Sequence, residues 1–179
     1  MSVNTPVRLI FESLKGSWRL KRSLNSVLAG FPSGIFEGSA TFKPRANAHS
    51  ELLYSEQGEL KMDNGVTLTA NRKYVYRYST DEDKISAWFV TEESKQNDGR
   101  EELDYLFHDL ELEQVDGGWV GRGEHLCEMD AYWAFYDFRP SKLTTELANK
   151  AVDVFGVRYK VKGPQKDYTS DTAYQRVLE

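Results

Sequence analysis

The stretch Gly123 to Tyr132, GEHLCEMDAY, holds the densest chemistry in the chain. His125 and Cys127 are two residues apart and so share one face of a strand, with Asp130 and Tyr132 following beyond a tight turn or bulge. A further histidine, His108, lies upstream in DYLFHDLEL. Four chemistries are compatible with these types. The histidines can be satisfied core residues beside a small buried thiol. They can donate and accept hydrogen bonds to a bound ligand. His108, His125 and Cys127 are ligand types for zinc or haem iron, although their spacing matches no ligand motif, so no metal is assigned. Finally, His125 or Asp130 can act as acid–base with Cys127 as nucleophile. Residue types alone leave open whether the protein is an enzyme.

Strand parity says which of these side chains face inward, because long charged residues are rarely buried. Over 118–128, Arg122, Glu124 and Glu128 share one face, so Trp119, Gly121, Gly123, His125 and Cys127 take the other. Over 104–113, Asp109, Glu111 and Glu113 point out, leaving Asp104, Leu106, His108, Leu110 and Leu112 inside. A turn at Asp116-Gly117 pairs Val115 with Gly118, and the same register sets His108 opposite His125 and Leu106 opposite Cys127.

A second hairpin gives a second constellation. With Lys73 and Arg77 outward, Arg72, Tyr74, Tyr76 and Tyr78 point inward. A three-residue loop, Asp63-Asn64-Gly65, then sets Tyr54 opposite Tyr74 and Glu56 opposite Arg72. An inward Glu–Arg pair supplies its own charge partner, or frees Arg72 to hold a ligand carboxylate. The tyrosine hydroxyls of Tyr54, Tyr74 and Tyr76 need partners, which favours a wet cavity. Phe155, Val157, Tyr159 and Val161 share one further inner face, and Tyr168, Ser170, Thr172, Tyr174 and Arg176 another. The candidate ligand-binding set is Glu56, Arg72, Tyr74, Tyr76, His108, His125, Cys127, Asp130 and Tyr132, with glycines leaving room beside them.

The elements that must carry these residues are short runs of period two at 17–24, 34–43, 51–62, 66–79, 84–91, 104–113, 118–128, 130–139, 154–162 and 167–177. Ten strands joined by hairpins predict an antiparallel up-and-down barrel in a single domain, 1–179. PVRLIFESL has helical spacing before the first strand, and residues 141–152 predict one helix before the last hairpin, with Leu143 and Leu147 on one face. Residues 25–34 are apolar for a loop, with Val27, Leu28 and Phe31, and fit either a packed Ω-loop or a lid. Residues 92–102 are expected to be a solvated, mobile loop, and the turn KGPQKDY, Lys162 to Tyr168, to place lysines in solvent or along a rim. His49 falls in a polar stretch with no assigned role.

Composition narrows the function classes. A net charge of −5 with no basic patch argues against nucleic acid. The first dozen residues carry only Arg8 as a cation and no apolar core, and no run approaches a membrane span, so neither leader nor membrane is expected. One cysteine cannot form an internal disulfide, which points to the cytoplasm.

Gly16-Ser17-Trp18 after a short helix resembles the Gly-x-Trp entry to the first strand of calycins, the lipocalin-like barrel superfamily. In that superfamily an arginine near the end of the last strand packs over the tryptophan, and Arg176 in AYQRV stands at the matching place. LKGSWRLKRSL, LYSEQGELKM, YVYRY, DYLFHDLEL, GEHLCEMDAY and YKVKGPQKDYTSDTAYQR are together similar to a microbial calycin-like family of unassigned function. The resemblance implies a barrel closed at one end by Trp18 and Arg176 and a small-molecule site inside it. An isomerase, cyclase or lyase on the same barrel and a filled barrel acting as an interaction module remain alternatives.

Overall fold

Thr5 starts the helix α1 (Pro6–Ser13) by accepting the Arg8 amide on its hydroxyl at 3.1 Å, and Pro6 brings a preset φ to the first turn. Its apolar face buries Ile10 and Phe11, joined by Leu14 just past the end. The computed structural model describes residues 4–30, 32–46, 48–140 and 152–178.

Ten strands follow: β1 (Gly16–Ser26), β2 (Gly34–Arg45), β3 (Ala48–Met62), β4 (Thr67–Ser79), β5 (Lys84–Val90), β6 (Leu103–Val115), β7 (Gly118–Cys127), β8 (Asp130–Pro140), β9 (Val152–Lys162) and β10 (Asp167–Arg176). Every consecutive pair is antiparallel, and β1 also pairs β10, so the sheet closes into a barrel with no free edge. His49 lies inside β3, one residue after its start.

One barrel end is plugged. Trp18 is 0% exposed, donates its indole N–H to the Leu14 carbonyl at 2.9 Å, and lies 4.3 Å beneath the Arg176 guanidinium. That guanidinium also donates to the carbonyls of Lys15 (2.8 Å), Val152 (2.7 Å) and Ser13. Gly16 has φ +120°, and a Cβ there would meet an Arg176 nitrogen at 3.1 Å, which explains the glycine two residues before the tryptophan. The other end is ringed by the turns after β1, β3, β7 and β9 and by the loop between β5 and β6. It is the mouth.

The β3–β4 register follows the three-residue loop, with Leu60 opposite Leu68, Tyr54 opposite Tyr74 and Glu56 opposite Arg72. Val115 pairs Gly118 across the Asp116-Gly117 turn, but the β6–β7 ladder stops at Glu111 and Arg122, so the expected pairings of His108 with His125 and Leu106 with Cys127 are not part of it. Nearer the mouth, β6 departs from simple alternation. Register shifts against β5 on both sides of Trp88 leave Phe107 and His108 both buried, and Tyr105 with Phe107 takes the inner face. Leu106 pairs with Trp88 and does not face the interior as the parity predicted.

The loop after β5 is also more ordered than its composition suggests. Ser94 and Glu101 are buried, Glu101 accepts Lys73 at 2.9 Å, and its carbonyl accepts Arg45. In the β1–β2 loop Val27 is 78% exposed, so it is not packed down. Phe31 and the helix expected over 141–152 lie outside the described residues, except Val152, which opens β9.

Candidate functional site

A cavity of about 480 Å³ runs from the mouth into the barrel. Its wall includes Glu56, Arg72, Tyr74, Tyr76, His125, Cys127 and Tyr132 of the residues singled out from sequence. His108 and Asp130 are not part of it.

His108 sits on the inner face but below the cavity, 1% exposed, with Nε2 2.9 Å from the Tyr159 hydroxyl. Its ring fills the space beside Gly123, where a Cβ would meet Nδ1 at 2.8 Å. A Cβ would also meet the Asp109 carbonyl, so that glycine makes room for the β6 backbone and a histidine, not for a ligand. The turn after Cys127, with Glu128 at φ 55°, brings Asp130 opposite Cys127 and lays its carboxylate over the Gly163 backbone at the rim.

Two hydrogen-bonded chains organise the interior. On the floor, Tyr76, Tyr136 and Tyr159 are linked hydroxyl to hydroxyl at 2.9 and 2.8 Å, ending on His108. Burial raises the pKa of all three tyrosines and lowers that of His108 to about 4, so every member is neutral near pH 7. On the wall, Arg22 clamps Glu56 bidentately at 2.7 and 2.8 Å and donates its Nε to Thr172 at 2.7 Å. Tyr54 donates to the same carboxylate and meets the Tyr174 hydroxyl at 2.7 Å. Burial alone would raise the Glu56 pKa, but the Arg22 hydrogen bonds and charge hold it below the usual carboxylate value. Burial raises Tyr174 to about 12.

Arg22 is the main residue that sequence reasoning missed. The sequence pairing of Glu56 with Arg72 is present in the ladder, yet the Arg72 guanidinium stands 3.7 Å from Glu56 with its side chain 47% exposed. Arg22 instead neutralises the carboxylate. A signal existed, since Arg22 has the parity of the inward Trp18, Leu20 and Leu24.

The histidine nearest the mouth is different from His108. His125 is surrounded by the rings of Phe89, Tyr105, Phe107 and Tyr132 at 5.6–6.0 Å, and its buried Nε2 has no hydrogen-bond partner. Burial lowers its pKa. Across the mouth, Lys166 donates to the Tyr132 hydroxyl at 3.2 Å, a bond that raises the lysine pKa. Among the described residues, no three His, Cys, Asp or Glu side chains converge as a metal site. No helix there is long and apolar enough to cross a membrane.

His108 gives the fold a pH dependence. Its folded pKa of about 4 lies below the ordinary 6.5, so between those values the unfolded chain binds the extra proton. Stability is insensitive to this group above pH 6.5, falls as pH drops from there toward 4, and levels off below. The full loss is about 3 kcal/mol. Urea midpoints across this range should show the slope in the wild type, and His108→Gln should flatten it.

Residues 14–176 match the model of DUF6314, a family of unknown function. No curated protein matches. Among solved structures, the S-type phycobiliprotein lyase CPES from Guillardia theta superposes with a TM-score of 0.60 at 15% identity, covering 98% of this chain and 95% of that one. At that identity the likeness is one of fold, a calycin-like ten-stranded barrel.

Proposed function

The chain belongs to DUF6314, and we propose that its barrel binds a small, partly polar, aromatic molecule in the cavity at the mouth. The observation that carries this is the cavity itself. At about 480 Å³ it lies within the ~300–1,000 Å³ of small-molecule sites, whereas a barrel working only through its surface has no need to keep one. The wall has the required mixture, with aromatic faces for the body of a ligand and Tyr74, His125, Cys127 and Tyr132 for its polar groups. His125 is the key hydrogen-bonding residue, since a ligand atom would supply the partner its Nε2 lacks. The single cysteine leads us to place the protein in the cytoplasm.

Likeness in fold to a phycobiliprotein lyase is compatible with a carrier and with an enzyme of lyase type. On this geometry an acid–base role would fall to His125, because Asp130 lies outside the wall.

Native mass spectrometry of protein from its own host should show a small-molecule adduct that denaturation releases. Returned to the apo protein, the adduct raises the melting temperature, and His125→Ala weakens it ~tenfold through the lost hydrogen bond. An apo mass together with no binding of the neutral aromatic dye N-phenyl-1-naphthylamine sinks the proposal.

A further inference from the structure

We infer that the bound molecule is a flat aromatic carboxylate, its anion held at the mouth by Arg72 and Lys166 and its ring system among the aromatic faces below. This rests on the binding proposal and adds the class of ligand.

Charge pairing around the cavity leads to the anion. Five cations line the wall: Arg22, Arg72, Lys73, Lys95 and Lys166. Arg22 is committed to Glu56, Lys73 to Asp98 and Glu101 at 2.8 and 2.9 Å, and Lys95 to Glu92 at 2.5 Å. Among the described residues, two positive charges are left over. Arg72 faces a Glu56 whose charge Arg22 already balances, at a distance of 3.7 Å. Lys166 bonds to the Tyr132 hydroxyl and makes no ion pair within 4 Å among the described residues, although the Asp130 carboxylate at the rim also acts on it. Both line the cavity together with Tyr168, and the charge of each acts on that tyrosine. Against them, among the described residues, the wall sets one carboxylate without an ion pair, Asp104. The side chains that line the cavity thus include five cations and three carboxylates, Glu56, Glu92 and Asp104, in a chain whose overall charge is −5. A planar guanidinium suits a carboxylate bidentately, and the ammonium adds a second contact.

The body of the ligand is set by the rings beneath. Phe89 and Phe107 stack 4.5 Å apart at 16°, and Phe107 and Tyr159 stack 5.4 Å apart at 15°. Parallel faces at the cavity edge offer another flat ring a continuation of the stack. A cationic ligand, which such rings would otherwise also attract, is repelled by Arg72 and Lys166.

Two dyes separate the parts of this inference. 8-Anilino-1-naphthalenesulfonate carries an oxyanion standing in for the carboxylate, and N-phenyl-1-naphthylamine is the same ring system without it. Fluorescence titration should show tighter binding of the sulfonate. The double variant Arg72→Met with Lys166→Met should weaken the sulfonate ~tenfold or more and change the neutral dye by less than ~twofold. Asp104→Asn should tighten the sulfonate ~threefold by removing a like charge. Circular dichroism melts check that each variant folds. Arg72→Lys, which keeps the charge and loses the fork, should fall between wild type and double variant. If both dyes bind alike and the cation variants do not distinguish them, the anion inference falls while the binding proposal stands. If neither dye binds, the anion inference falls, and the binding proposal falls with it when the native mass is also apo.

Discussion

Arg22→Met lowers the unfolding free energy of the barrel by about 3–5 kcal/mol, because it strands a charge the fold cannot hydrate well. Glu56 and Arg22 are both buried, and the arginine makes three hydrogen bonds, two to Glu56 and one to Thr172. Methionine fills much of the same volume and answers none of those acceptors. Tyr54 still donates to the carboxylate, and Arg72 at 3.7 Å attracts it, so the loss should sit toward the lower end of the range. The double variant Arg22→Met with Glu56→Leu should recover most of the loss, since replacing a buried pair by apolar side chains is often close to neutral. Urea unfolding followed by tryptophan fluorescence measures both. A single-variant loss under ~1 kcal/mol would mean that cavity water solvates Glu56 and that the pair contributes little.

Trp18→Ala should cost about 3–5 kcal/mol, the range for truncating a fully buried large aromatic. The indole packs edge-on to Phe155 at 4.8 Å, under the Arg176 guanidinium at 4.3 Å, and on the Leu14 carbonyl. Its loss opens the closed end of the barrel and frees the arginine that ties α1, the α1–β1 junction at Lys15 and β9 together through backbone carbonyls. Trp18→Phe keeps a ring and loses the hydrogen bond, so it should cost clearly less, about 1–2 kcal/mol. Thermal melts of the two variants decide this. Equal losses would mean that the Leu14 hydrogen bond, and not the packed ring, is what the plug contributes.

The barrel was legible because alternation is written locally. Each strand announces its two faces, and two turns, Asp63-Asn64-Gly65 and Asp116-Gly117, pin their registers. Gly16, Trp18 and Arg176 were legible for a different reason: Gly-x-Trp before the first strand and an arginine near the end of the last resemble the calycin pattern, and the structure stacks that guanidinium on that indole.

What parity could not foresee lies where alternation breaks or where strands distant in sequence meet. The irregular pairing around Trp88 put Tyr105 and Phe107 on the inner face in place of Leu106, and no feature of β6 alone marks it. Glu51 to Arg77 reads as a hairpin, and so Arg72 looked like the partner of Glu56. The curvature of the barrel wall brought Arg22 from β1, past the intervening β2, to that carboxylate on β3, 34 residues away in the chain. It likewise set His108 beneath the cavity against Tyr159 and left His125 at the mouth without a partner. The strands and, outside β6, their inward faces follow from the chain alone, because alternation depends on nearest neighbours along it, and the plug was legible as a resemblance to the calycin pattern. Which inward polar groups satisfy one another, and which are left for a ligand, was decided only by the tertiary structure, because that depends on which side chains face each other across the closed barrel.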